Sequence, residues 1–407
     1  MKKTKYMFSI YAGATPDSKN SEYWDGDIVW ITPADYKTTD KYISCGAKSL
    51  TKAGYNASNT TIVPAGSIIV SKRAPIGTVS IAEVPLCTNQ GCLSCVPNDD
   101  VDSSFAYYAL SSMSDEMQVL GAGTTFKEIS ANAFANMKIP YFPLPEQHAI
   151  VRYLDAKCVA IDEVIERHKK IIEKLEEYKR SSIIKAVNGD IFDNTKASGI
   201  AWMPTVPSHW GVVPMRFALT QRKNKNEGLV EKNLLTLSYG KIKRKDIETN
   251  EGLLPASFEG YNIIEAGDIV LRLMDLQNDK HSLRTGLVTE RGIITSAYVT
   301  VIPTEGFDPA YCRYLLHAYD LMKVFYSMGE GVRQGLTYDD LSRTLLIPKP
   351  PIDEQSKIAS NIIKMEGSVD ASIGKQNAML EKLEEYRKSV IYNAVTGKID
   401  CRTETQP

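Results

Sequence analysis

Three cysteines and a scatter of lysines and arginines are the residues of this chain whose types and spacing could do chemistry. Cys92 and Cys95 form a Cys-x-x-Cys pair with Cys87 just upstream, and thiolates so spaced can ligate zinc or exchange disulfides. No second cysteine pair stands by to complete four ligands. In the internal repeat described below, the three thiols align with Ile293, Tyr298 and Val301, ordinary strand residues. They read as buried strand thiols, and no metal site is expected. The basic candidates are Lys72, Arg73 and Lys127 in the first half, and Lys241, Lys243, Arg244, Arg272, Arg284 and Arg333 with Gln334 in the second. Such groups bond phosphates, and Arg and Gln can read base edges bidentately, each good pair worth ~1–3 kcal/mol of discrimination. Taken singly, each is equally well a solvated surface charge.

Catalytic signatures are missing. No Gly-x4-Gly-Lys-Ser/Thr phosphate loop occurs, since Ile373-Gly374-Lys375-Gln376 lacks both the hydroxyl and the glycine spacing. No Asp/Asn-Pro-Pro-Tyr methylating motif is present, and the five histidines include no pair at i, i+4 for a zinc hydrolase. Composition is that of an ordinary globular chain, 43% hydrophobic and 24% charged, with a formal net charge of −1. Recognition of a polyanion would therefore have to come from local charge clusters. No eighteen-residue apolar stretch exists, and Met1 to Tyr6 is polar without an apolar segment behind it. Neither a membrane span nor a secretory signal is expected, and seven scattered cysteines suit the reducing cytoplasm.

The elements that must position these residues come in duplicate. Residues 173–191, EKLEEYKRSSIIKAVNGDI, and residues 381–399, EKLEEYRKSVIYNAVTGKI, share twelve of nineteen positions at a constant offset of 208. The same offset carries Ile139-Pro140 onto Ile347-Pro348 and Glu146-Gln147 onto Glu354-Gln355. Upstream, Ala65-Gly66-Ser67-Ile68-Ile69 matches Ala266-Gly267-Asp268-Ile269-Val270, with a longer segment following in the second copy, around Leu273 to Arg284. A period this long duplicates a whole domain with its trailing helix. The expected layout is a domain at 1–143, a helix at 144–189, a linker at 190–206, a second domain at 207–350 and a second helix at 351–400.

Leu154, Cys158, Ile161, Ile165, His168, Ile172 and Leu175 lie at three-and-four spacing, and Ile362, Glu366, Val369, Ile373, Gln376, Leu380 and Leu383 fall at the equivalent places. That is a coiled-coil seam. Asp353 is an N-cap candidate, while Asn188-Gly189 and Thr396-Gly397 offer glycine C-caps. About 43 helical residues make a rod of roughly 60 Å, and two such helices would pack antiparallel. His168 and Gln376, at matched seam positions, either fix the register or reach solvent at the seam edge. The domains mix short β runs with one helical pattern each, Phe105 to Met117 and Pro309 to Met328, an α+β character.

Residues 12–32, AGATPDSKNSEYWDGDIVWIT, resemble the start of a target-recognition domain of type I restriction–modification specificity subunits. Pro207-Ser208-His209-Trp210 is similar to the Pro-x-x-Trp lead-in of the second such domain. Thr88-Asn89-Gln90-Gly91, the closing Ile-Pro, the Pro-x-x-Glu-Gln and the EKLEEYK helix ends fit the same family. Met1 to Phe8 leaves little room for a Pro-x-x-Trp before the first domain. The resemblance implies two similar α+β target-recognition domains separated by two long helices in an antiparallel coiled coil, an internal pseudo-two-fold repeat. Each domain would read one half of a split double-stranded DNA site, without catalysis or cofactor of its own. Partners implied are methyltransferase subunits, bringing S-adenosylmethionine, and restriction subunits using ATP and Mg. A coiled-coil scaffold that binds only proteins is the alternative that the helices alone support.

Overall fold

The run Ser67-Ile68-Ile69-Val70 shows no polar alternation, which is the mark of a strand covered on both faces. In the computed structural model, which describes residues 1–37, 39–73, 75–121, 127–190, 192–245, 257–276, 282–328 and 335–402, Ile68–Ser71 is buried at every position. It lies inside a five-stranded sheet of order Phe8–Ala12, Cys92–Pro97, Ile68–Ser71, Val79–Ala82, Tyr42–Ile43. Ile68 and Val70 pack with Phe105, Ala106 and Ala109 of the helix Ser103–Ser111. Ile69 turns the other way, to Ile31, Val63 and Leu86. The second copy repeats the arrangement. Leu219–Gln221, Val299–Pro303, Ile269–Leu271 and Thr285–Leu287 form a four-stranded sheet in the same order. Ile269 and Leu271 face Tyr311 and Leu315 of the helix Pro309–Leu321, while Val270 faces Leu235, Leu237 and Ile294. The three thiols fall into three separate clusters, Cys95, Cys92 and Cys87 each with its own apolar neighbours. Burial pushes Cys87 up to about 11 and Cys92 up to about 12, so they sit as small hydrophobes.

Two long helices, Leu144–Asn188 and Ile352–Val395, carry the repeated sequence. The chain divides into two compact units, Met1–His168 with Asn377–Pro407, and Lys169–Gln376. Each unit thus holds one domain, the first part of the helix that follows it and the last part of the other helix. Inside the first unit the two segments run antiparallel. Leu154 and Cys158 share a core with Val390 and Ala394, and Arg387 bonds Asp162 at 2.8 Å. Inside the second, Ile183 and Val187 share a core with Ile358 and Ile362, and Lys179 bonds Asp370 at 2.8 Å. The offset of 208 carries one ion pair onto the other. Both pairs are partly exposed and worth on the order of 1 kcal/mol each, so the buried seam supplies most of the stability. Both helices end as their glycines imply. Gly189 and Gly397 adopt φ of 73° and 75°, and Asp190 and Lys398 N–H groups reach back to Lys185 and Asn393 carbonyls, closing the last turn in a Schellman arrangement.

Four sequence expectations are corrected. Residues 190–206 contain an ordered hairpin, Thr195–Ile200 paired with Met203–Pro207, because Ile200, Met203 and Val206 have a core to enter. A side chain at Gly189 would collide with Pro207 at 2.5 Å, so the helix end seats directly on that hairpin. Asp353 lies within the first turn, since the Pro351 carbonyl already accepts from Gln355 N–H at 3.0 Å. The helical patterns from Phe105 and Pro309 each break into two pieces, the first ending at Ser111 and Leu321. In the second copy the break is marked by Lys323 at φ 61°.

What joins each domain to its helix is the glutamine of Pro-x-x-Glu-Gln. The Gln147 amide donates to the Asp100 and Phe142 carbonyls at 2.9 and 2.7 Å, and its oxygen accepts from Asp102 N–H at 2.8 Å. Gln355 does the same with Gly306, Pro350 and Asp308, at 3.0, 2.9 and 2.9 Å. Both are fully buried. Asp102 and Asp308 in turn cap their helices through Phe105 N–H and Tyr311 N–H. Replacing Gln147 or Gln355 by Ala leaves three part-buried backbone groups without their partner and is expected to cost ~2–4 kcal/mol. Hydrogen exchange should show the loosening confined to the altered unit. A loss below about 0.5 kcal/mol in urea unfolding would contradict this role.

Candidate nucleic-acid interface

In the first unit four short segments meet just beyond the end of the strand Ile68–Ser71. The Lys72 amide donates to the Gly91 carbonyl at 2.8 Å, and the Lys72 carbonyl accepts from Ile129 N–H at 3.0 Å. Asn89 Oδ1 accepts from Gly91 N–H at 2.8 Å, an Asx turn that explains Thr88-Asn89-Gln90-Gly91. Thr15 donates to Gln90 at 2.5 Å, and Trp30 Nε1 donates to the Ala14 carbonyl at 3.0 Å, so the Gly-Ala-Thr-Pro turn is held alongside. Trp24 and Trp30 stack edge to face at 5.1 Å on a cleft of about 290 Å³ that Thr15, Thr32, Asp35 and Lys48 also line. Lys72 and Arg73 therefore neighbour the segment of Lys127, but not as three equal cations. Lys72 is only 13% exposed and bonds Glu128 at 2.7 Å. Arg73 is half-buried and Lys127 exposed, leaving these two as the groups best placed for an anionic partner.

The second unit builds the equivalent corner. Leu336 N–H donates to the Leu273 carbonyl at 2.8 Å, the counterpart of Ile129 to Lys72. Arg333 and Gln334 lie outside the described residues. Arg272 is exposed. Arg284 is corrected as a candidate contact, because it is 4% exposed and faces inward. Its guanidinium donates to the Arg272, Met274 and Asp275 carbonyls at 3.0, 2.6 and 2.8 Å, and its backbone N–H to Asp320 at 3.3 Å. Arg284 clamps the turn that presents Arg272.

Lys241 and Lys243 lie on an outer strand of the second unit, in the hairpin Leu235–Ser238 and Lys241–Arg244. Its register pairs Thr236 with Lys243, Ser238 with Lys241, Leu237 with Ile242 and Leu235 with Arg244. Strand alternation then puts Thr236, Ser238, Lys241 and Lys243 on one face and Leu235, Leu237, Ile242 and Arg244 on the other. The apolar face lies on Gly286, where a Cβ would come within 2.6 Å of Leu237. Arg244 is already engaged, its Nε bonding both Glu290 oxygens at 2.8 and 3.0 Å, which holds its pKa up and that of Glu290 down. Sequence reasoning grouped Lys241, Lys243 and Arg244 together; counting by twos from the Tyr239-Gly240 turn would have separated them. It also passed over Tyr239, at the tip and 80% exposed.

His168 and Gln376 are half-buried, and the division between the compact units falls just after each. Glu354 holds the Pro-x-x-Trp of the second domain, accepting from Trp210 Nε1 at 2.9 Å beside His209. In the first domain Lys2–Lys3 pairs with Lys138–Ile139, as Gly211–Pro214 pairs with Leu346–Lys349 in the second. Among the described residues no helix is long and apolar enough to cross a membrane, and no cluster of His, Cys, Asp and Glu could hold a metal ion.

Residues 1–177 match the model of the type I restriction modification DNA specificity domain. Over 179 residues the chain is 38% identical to the type I restriction enzyme MjaIX specificity subunit of Methanocaldococcus jannaschii, covering 43% of this chain and 40% of that one. It is 27% identical over 194 residues to the HindI specificity subunit of Haemophilus influenzae, 47% of this chain and 41% of that one. The matched part thus spans about two-fifths of these relatives. In fold it resembles a chain from a study of complex assembly and conformational transition of the type I R-M system, with a TM-score of 0.71 at 16% identity, covering 98% and 97% of the two chains. It also resembles the HsdS subunit of Thermoanaerobacter tengcongensis, with a TM-score of 0.54 at 15% identity, covering 98% and 96%.

Arg284→Met keeps the side-chain volume but leaves three carbonyls without their donor. It is expected to destabilise the second unit by ~2–4 kcal/mol, read by denaturant unfolding. An unchanged midpoint would show the guanidinium to be dispensable.

Proposed function

We propose that this chain belongs to the type I restriction–modification specificity-subunit family, as its likeness to that family's model and relatives supports, and is the sequence-reading subunit of such an enzyme. Each domain reads one half of a bipartite double-stranded DNA site, and the paired helices set the spacing between halves and dock the methyltransferase subunits. It carries no catalytic site of its own. Adenine methylation, with S-adenosylmethionine, and ATP- and Mg-dependent restriction belong to partner subunits acting with it in the cytoplasm.

One observation supports this reading above the rest. The two units share a sheet order and a glutamine clamp, yet differ in loops at corresponding places. Strands Trp24–Ile31 and Lys48–Leu50 are joined by a long connection, whereas their counterparts Leu235–Ser238 and Lys241–Arg244 are joined by Tyr239-Gly240 alone. The loop over 72–78 is matched by the longer one over 272–284. A shared frame with divergent loops suits two different ligands of one chemical kind, which is what two unlike half-sites are. With a net charge of −1, phosphate attraction must come from exposed groups such as Lys127, Lys241 and Lys243, and from the partner subunits.

The test is exchange of residues 207–350 for the corresponding domain of another specificity subunit, in cells that also make the methyltransferase. Sequencing of methylated adenines is expected to show one half of the motif replaced and the other kept. A motif unchanged in both halves would favour a scaffold that touches no DNA.

A further inference from the structure

The tip of the hairpin in the second unit carries a residue that its backbone disfavours. Tyr239 and Gly240 adopt φ of 49° and 73°, the signature of a type I′ turn between Ser238 and Lys241. Asn or Gly at the first of these positions relieves the steric cost that an aromatic residue incurs there. The ring gains nothing from burial in exchange, being 80% exposed. Behind it, Lys241 and Lys243 alternate with the hydroxyls of Ser238 and Thr236 on the solvent face. The opposite face is committed to the core through Leu235 and Leu237. The tip lies against the clamped turn, with the Cβ position of Gly240 3.6 Å from Leu283, next to the Arg284 that holds the Arg272 loop. A two-stranded ribbon fits the major groove of duplex DNA, where base pairs are distinguishable.

We propose that the hairpin Leu235–Arg244 enters the major groove as a reading ribbon, with Tyr239 as a specificity-determining residue at its leading end. This rests on the DNA-reading function proposed above and adds the element and residues that perform it in the second unit. Lys241 and Lys243 bond phosphates along the groove. The Tyr239 ring packs on base edges, and Thr236 and Ser238 supply hydroxyls that donate or accept. The first unit has the long connection over 32–47 at this place, so its half-site is read by other means.

The test uses the full chain assembled with its methyltransferase subunits. Cognate duplex is first enriched from a random-sequence pool with the native protein, and binding and thermal unfolding are then measured for variants. Tyr239→Asn completes an Asn-Gly turn and is expected to leave Tm unchanged or raised, while weakening cognate binding about tenfold and relaxing base preference in one half of the motif. Tyr239→Phe is expected to restore most of the affinity. Lys241→Gln with Lys243→Gln should weaken all duplexes alike and reduce the slope of log K against log salt by about two. Native affinity and motif in Tyr239→Asn would overturn the role of Tyr239. An unchanged salt slope in the double lysine variant would overturn placement of the ribbon on DNA. Failure of the native assembly to enrich any duplex would instead refute the reading on which the proposal rests.

Discussion

A buried carboxamide holds each half of this molecule together. Gln147 and Gln355 satisfy a backbone N–H and two carbonyls at the junction of domain, cap and long helix. The groups it serves lie just ahead of each domain helix and just ahead of each long helix, so one side chain ties the orientation of the sheet to that of the rod. A surface ion pair could not do this, being worth at most ~1 kcal/mol, whereas leaving three part-buried backbone groups without a partner costs more. The constraint is identical in both copies, which is why loops could diverge without disturbing the mounting.

On that shared mounting, the loops specialise by how their charges are engaged. Arg284 spends its guanidinium on three carbonyls and shapes a turn. Lys72 and Arg244 are bound to Glu128 and Glu290. Arg73, Lys127, Lys241, Lys243 and Arg272 retain half-buried or exposed heads. A chain with net charge of −1 can still offer a cationic surface in this way, because what counts is which cations are not already neutralised by neighbours.

Much of the frame was legible from residues alone. The seam from Leu154 to Leu175, the glycine ends at Gly189 and Gly397 and the burial of Cys87, Cys92 and Cys95 follow from spacing and from self-alignment, since helix periodicity and strand alternation are local properties. What a loop cation does is not local. Arg272 and Arg284 look alike in sequence, and only tertiary packing decides that one faces solvent and the other three carbonyls. The hairpin at Thr195–Pro207 was obscured by its Asn, Gly and Pro content, and tertiary packing of Ile200, Met203 and Val206 overrode that local signal. The roles of Arg244 and Tyr239 were within reach, because a two-residue turn sets the phase of every neighbour.

The central claim is that two independently mounted domains each read their own half of one site. The most direct measurement is the methylated motif of cells carrying Arg73→Ala, set beside that of cells carrying Arg272→Ala, since arginine can read base edges. The account predicts a two-part motif separated by unread bases, with the first change relaxing one half only and the second the other half only. A single continuous motif, or both halves relaxing together under either change, would contradict it.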